Sequence, residues 1–338
     1  MKTRILALAL AVVMALPLAG CGAQKDPVPS QSAPEQTQPS APPAETTDYP
    51  NAAITLTVPF AAGGSSDLVA RLFAETAKNY CDQPFVIVDQ GGGGGVPATT
   101  EFLTKPADGY NILYAASAPT CTQAILSDIP YDVTTDLDYL CQVNMDPLCV
   151  VVRADCPAGN MDEFVEWVKG NDLTWGASNG GVHYFAALTM LMDLEIESNY
   201  VPTEGGSDSV AKLLGSHVDY VFIHPTEVLS SFKSGETKVI GTMTEEREAT
   251  LPDVPTLKEQ GYDYVYAVLK GFVVAPGMDP AVREKLVEIC RSVLEDETFI
   301  SKCADMGTTI GYKTGEEYKT KNLADFEVFK ATLEAANS

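Results

Sequence analysis

From residue 54 onward the chain alternates short β-branched runs with amphipathic stretches at helical spacing. No other feature narrows its fold as much. Residues 54–58 (ITLTV) predict a strand that Pro59 ends, and residues 67–80 predict a helix with Leu68, Leu72, Phe73 and Ala77 on one face. Strands are expected at 85–88 and 112–115, with a glycine turn at 91–95 and a helix starting at 99–103 between them. A βαβαβ series of this kind predicts a parallel sheet with helices on both faces. The unit type then recurs. Strands are expected at 149–152, 173–175, 199–201, 220–223 and 238–241, with helices at 161–170, 182–192 and 207–214. A strand at 272–275 leads into helices at 280–295, 297–306 and 316–336, so the expected class is α/β with two lobes.

The N-terminus points to a compartment. Lys2 and Arg4 precede an unbroken apolar run at 5–16, and Leu18-Ala19-Gly20-Cys21 follows. This is the layout of a secretory signal at 1–20, too short to span a bilayer. Its ending resembles a lipobox, which implies cleavage before Cys21 and lipid on that cysteine. Residues 21–48 are rich in Pro, Ser, Gln and Thr, and nearly lack large apolar side chains. They cannot bury enough surface to offset chain entropy and are expected to form a tether. A lipid-anchored chain works outside the cytoplasm, where ATP and nicotinamide cofactors are absent, so no cofactor is expected.

Net charge is −24, and −26 once Lys2 and Arg4 are gone. Such an acidic body argues against nucleic acid and against direct adhesion to an anionic bilayer. It does not exclude a small anion held by backbone donors. Beyond Cys21 there are seven cysteines: Cys81, Cys121, Cys141, Cys149, Cys156, Cys290 and Cys303. The odd number leaves at least one unpaired within a chain, and none stands at zinc-ligand spacing. Buried thiols acting as small hydrophobes are the plainer expectation, with one or two disulfides as the alternative.

Three constellations could carry chemistry. In Val58-Pro59-Phe60-Ala61-Ala62-Gly63-Gly64-Ser65-Ser66-Asp67 a strand ends, glycines turn the backbone and small polar residues open a helix. Free amides at that start, with the serine hydroxyls, make an anion site, and Ser65, Ser66 and Asp67 also suit plain capping. Such a loop lies at the carboxyl end of a strand, where doubly wound sheets bind ligands. The five-glycine run lacks the Lys-Ser/Thr of a phosphate loop and reads as a turn, one that could line a pocket. Gly176-Ala177-Ser178-Asn179-Gly180 fits the nucleophile-elbow pattern between strand and helix, with Asp219 and His224 available for a triad. No His-Gly-Gly-Gly loop precedes it, and no histidine occurs in the last 114 residues. The alternative is that Ser178, Asn179 and the Gly180 amide bind a ligand at a second helix start.

Taken in order, these motifs resemble the solute-binding proteins of tripartite tricarboxylate transporters, the Bug or TctC family. The resemblance runs through Tyr49-Pro50, the Val58–Asp67 loop, the glycine run, Asp108-Gly109-Tyr110 and Pro130-Tyr131-Asp132. It continues through the 176–183 loop ending in His183, then Val201–Gly205, Leu213–Asp219, Leu251–Thr256 and Ala275-Pro276-Gly277. It implies a Venus-flytrap, periplasmic-binding-protein-like fold, with lobe 1 at 49–147 plus 271–338 and lobe 2 at 148–270. Two crossing strands would join the lobes, with the ligand in the cleft between them. Carried over, Phe60, Ala62, Gly63, Gly64, Ser65, Ser66 and Asp67 would hold one end of a small organic di- or tricarboxylate. Ser178, Asn179, Gly180, His183, Thr203, Glu204 and Gly205 would meet it from the other lobe. Ser117 and His224 are added for their places just after strands.

Two departures stand out. The 176–183 loop is about one residue short, and Thr203-Glu204-Gly205 stands where the family often has Tyr-Lys-Gly. A carboxylate there would disfavour an anionic ligand unless exposed or paired, so an amino-acid-type zwitterion is an alternative ligand. The expected protein is therefore a monomeric, lipid-anchored, extracytoplasmic binding protein that delivers its ligand to permease subunits and holds no metal. A secreted serine hydrolase using Ser178 is the runner-up, and a sensor subunit feeding a receptor is a third reading.

Overall fold

The computed structural model describes residues 48–60, 62–306 and 308–338. The expected signal, Cys21 and the tether up to residue 47 lie outside the described residues. The first half runs β1 (Ile54–Val58), α1 (Ser65–Ala77), β2 (Phe85–Asp89), α2 (Val96–Phe102), β3 (Asn111–Ala116), α3 (Gln123–Leu126) and β4 (Asp138–Pro147). Next come β5 (Cys149–Arg153), α4 (Met161–Lys169), β6 (Thr174–Ser178), α5 (Val182–Asp193), β7 (Asn199–Thr203) and α6 (Gly206–Leu214). They are followed by β8 (Tyr220–Ile223), α7 (Pro225–Lys233) and β9 (Thr237–Thr242). The chain ends with β10 (Ala267–Val274), α8 (Pro280–Leu294), α9 (Glu297–Asp305), β11 (Ile310–Thr314) and α10 (Gly315–Ala336).

Two sheets result. One has the order β11-β4-β10-β3-β1-β2 and the other β7-β6-β8-β5-β9. Each is mixed: the parallel arrangement expected from the βαβαβ series holds for β1, β2 and β3, and further strands join antiparallel. β1, β2 and β3 are parallel, as are β6, β7 and β8, but β10 runs antiparallel to β3 and β4, and β5 antiparallel to β8 and β9. The reversal follows from the chain path. β4 leads through Leu148 straight into β5 of the second sheet, and residues 243–266 return the chain to β10, which pairs back on β4 with Ala267 opposite Pro147. The two crossings thus lie side by side.

Side-chain alternation builds the layers. Along β5, Val150 and Val152 join one apolar cluster while Cys149 and Val151 join another. Along β8, Tyr220 and Phe222 part from Val221 and Ile223 in the same way. Both faces of the sheet are therefore covered by helices, as a period of two requires. The first sheet is flanked likewise by a cluster holding Phe73, Phe272 and Phe299 and one holding Phe102, Tyr139 and Tyr318. Each such ring contributes on the order of 1.5–3 kcal/mol on burial. α10 starts against β4, where a Cβ on Gly315 would stand 2.0 Å from the Tyr139 carbonyl oxygen. Further along, its Phe329 stacks on Phe185 of α5 at 5.3 Å, so the C-terminal helix straps the second sheet's core. All seven described cysteines are free, six of them buried, which answers the disulfide question in favour of thiols as small hydrophobes.

Candidate functional site

Four strands end around one cleft. β1 runs out at Val58 into the loop before α1, β3 at Ala116 into a turn at 118–122, β6 at Ser178 before α5, and β8 at Ile223 before α7. The cleft has a volume of about 480 Å³ and takes lining from both sheets. Phe60, Gly64, Ser65 and Ser66 line one side. Ser178, Gly181, Val182, His183 and His224 line the other. A smaller cavity of about 200 Å³ shares Ser65, Asp146, His224 and Glu227 with it and runs toward Glu248 and Thr308. A larger cavity, about 630 Å³, lies elsewhere, bounded by residues 243–249, β11 and α10. The cleft is the stronger candidate because strand ends and helix starts converge on it, which is where open α/β sheets bind.

The α1 start leaves backbone donors without a side-chain cap. Its N-cap is Gly64, which has no side chain to cap with, so the first-turn amides have no side-chain acceptor. Gly64 sits at φ −76°, an ordinary conformation; the left-handed residue is Gly63 at φ 82°. The Asp67 carboxylate turns back to accept from the Gly63 amide at 2.7 Å and pairs with Arg71 Nε at 2.6 Å. Burial pushes this carboxyl up, but the bonds from Arg71 and Gly63 outweigh that and hold it below its ordinary value. Asp67 braces the loop from behind.

At the cleft floor Lys270 of β10 is only 7% exposed. Its Nζ lies 2.7 Å from Asp146 Oδ2 of β4 and donates to Ser65 Oγ at 3.0 Å. An ammonium can only donate, so the Ser65 oxygen accepts and its own hydrogen is left to donate elsewhere. Thr122 also lines the cleft. It is fully buried, and its Oγ1 has no hydrogen-bond partner.

On the far wall the His183 and His224 rings meet through Nε2 atoms 3.0 Å apart, and His224 Nδ1 lies 2.7 Å from the Pro147 carbonyl oxygen. A carbonyl only accepts, so His224 carries its proton on Nδ1 and, when neutral, accepts at Nε2 from His183. Burial and the neighbouring His224 hold His183 well below its ordinary value, so it is neutral at pH 7. Asp219 accepts from the Thr174 amide and hydroxyl at 2.8 and 3.0 Å. With His224 held by Pro147 and His183, and Asp219 by Thr174, the order Ser178–Asp219–His224 is not assembled as a triad.

The other expected residues fall away from the lining. Ser117 is buried and brackets β10, donating to the Leu269 carbonyl and accepting from the Leu269 amide. Thr203 is buried against Ser209, their hydroxyl oxygens 2.7 Å apart. Ala62, Gly63, Asn179 and Glu204 are exposed. Gly180 faces Leu126, and Gly205 adopts φ 140° as the N-cap of α6. Neither lines the cleft. Missed by sequence reasoning were Ala116, Ala118, Thr122, Asp146, Glu227, Val268 and Lys270. Lys270 left a readable signal, a lone cation inside the apolar run Val268-Leu269-Lys270-Gly271-Phe272.

Comparison with known proteins bears on the family and the fold. A family model described as the tripartite tricarboxylate transporter family receptor matches residues 69–330. Protein BugT of Bordetella pertussis is 30% identical over 270 residues, covering 77% of this chain and 82% of BugT. The crystal structure of a TctC solute binding protein from Polaromonas superposes with a TM-score of 0.79 at 25% identity, covering 85% of this chain and 99% of that one. MatC from Rhodopseudomonas palustris, solved with bound malate, shares the fold with a TM-score of 0.66 at 22% identity, covering 84% and 99%.

Proposed function

Because this chain belongs to the tripartite tricarboxylate transporter receptor family, we propose that its cleft captures a small organic carboxylate outside the cytoplasm. In this reading Cys21 carries the lipid anchor and the loaded protein delivers its cargo to the permease subunits of such a transporter. The lobes are residues 49–147 plus 271–338 and residues 148–270. The carrying observation is the α1 start, where first-turn amides without a side-chain cap stand beside the outward-donating Ser65 hydroxyl and the Lys270 ammonium. Backbone donors at a helix N-terminus hold a carboxylate without any net positive charge on the protein. The malate in the distant neighbour MatC supports the ligand class.

The two crossings between the sheets suit hinge closure, with ligand shifting the population toward the closed form. Isothermal calorimetry with succinate, malate and citrate, paired with small-angle X-ray scattering, tests this reading. Carboxylate binding with a smaller radius of gyration is the expected result. Binding of neutral polyols in place of every carboxylate would overturn it.

A further inference from the structure

The cleft's charge set points beyond a plain carboxylate. Its charged lining residues are Lys270, Asp146 and Glu227, one cation against two carboxylates. Lys270 is already neutralised by Asp146 at 2.7 Å. Asp146 also accepts from Asn144 Nδ2 at 3.2 Å, which fixes its carboxylate beside the floor. Glu227 of α7 accepts from the His224 amide at 3.0 Å, and like Asp146 it borders both the cleft and its smaller extension. The facing histidine pair adds no fixed charge while it is neutral. A ligand bearing only carboxylates would add negative charge to a lining that already holds two carboxylates and one cation.

We propose that the ligand is a zwitterion, a small acid that also carries an ammonium group. Its carboxylate sits at the α1 start against the Ser65 hydroxyl, the first-turn amides and Lys270. Its ammonium sits between Asp146 and Glu227. Thr122, a lining residue whose buried hydroxyl has no partner, supplies a further hydrogen bond. The residue that first raised this class, Glu204, is exposed and off the lining, so the discrimination lies with Asp146 and Glu227.

The proposal rests on the carboxylate reading and deepens it. The test uses probe pairs that differ only by an ammonium: succinate and aspartate, glutarate and glutamate, butyrate and 4-aminobutyrate. Calorimetry on ligand-stripped wild type should show at least one amino member binding tenfold or more tighter than its partner. Asp146→Asn and Glu227→Gln should each narrow that gap, and Asp146→Asn should tighten the plain acid while loosening the amino acid. A change of opposite sign within one pair is not produced by a general structural defect, and Glu227→Gln keeps the test open if Asp146→Asn does not fold. Plain acids binding as tightly as their amino partners would overturn the zwitterion while leaving the carboxylate reading intact. Binding of neither series would overturn both.

Discussion

Thr122→Val should make the ligand-free protein more stable and its ligand affinity weaker. Thr122 is 0% exposed, and its Oγ1 has no partner, although it stands on the cleft wall. A buried hydroxyl left unpaired costs about 1–3 kcal/mol. Valine keeps the branched shape at Cβ and removes that cost. Urea unfolding of stripped protein should therefore show a gain of about 1–3 kcal/mol, with the melting temperature rising about 2–4 °C per kcal/mol. In the proposed complex the same hydroxyl donates to the ligand, and a hydrogen bond to a charged group is worth about 1.5–3 kcal/mol. The variant should then bind roughly ten- to a hundred-fold more weakly by calorimetry. The opposite signs make the test sharp. A variant that loses more than about 1 kcal/mol of stability, or binds unchanged, would refute the assignment of Thr122 to the ligand.

His183 should make the fold acid-sensitive. Its folded value is depressed, while the unfolded chain titrates near about 6.5, so below that pH the unfolded state binds a proton the fold refuses. Stability should fall as pH drops from about 7 to 5, by at most about 1.4 kcal/mol per pH unit from this group, and less steeply in His183→Gln; parallel urea slopes for the two proteins would sink this. Gly180→Ala should destabilise by at least about 1–2 kcal/mol, since Gly180 has φ +65° and a Cβ would stand 2.6 Å from Leu126 Cδ1. Adding Leu126→Ala should restore only the steric share, and full restoration would show that the backbone term is absent. Cys21→Ser should move the protein from the membrane to the soluble fraction and abolish incorporation of a labelled fatty acid; continued labelling would place the lipid elsewhere.

Much of the scaffold was legible because apolar periodicity does not depend on partners. β1 and β8 have the bounds that their β-branched and aromatic runs predict. The Val58–Asp67 loop announced α1 through glycines followed by small polar residues. β4 was not legible. Its run includes Gln142, Asn144 and Asp146, whose burial makes sense only beside Gly311, Tyr114 and Lys270, and those contacts span more than a hundred residues for the first and last. The early part of β10 was hidden by the same polar partnership. Helix α7 was obscured by its short polar span, and only the structure supplies the reciprocal bonds between His224 and Glu227 that start it. Helix-start loops and strand ends were readable as local motifs, and the structure brings Ser65, Ser66, Ser178, His183 and His224 to the cleft lining. Side-chain direction was not readable: the chain turns Ser117 onto Leu269 and Thr203 onto Ser209. The charges that shape the cleft lie on the crossing strands and on α7, a feature of tertiary pairing with no local motif.

The most direct measurement is mass spectrometry of the small molecules released when purified protein is denatured. The account predicts one carboxylate-bearing compound at close to one per chain, absent from protein stripped and refolded beforehand. A neutral or purely cationic compound released at that stoichiometry would contradict it.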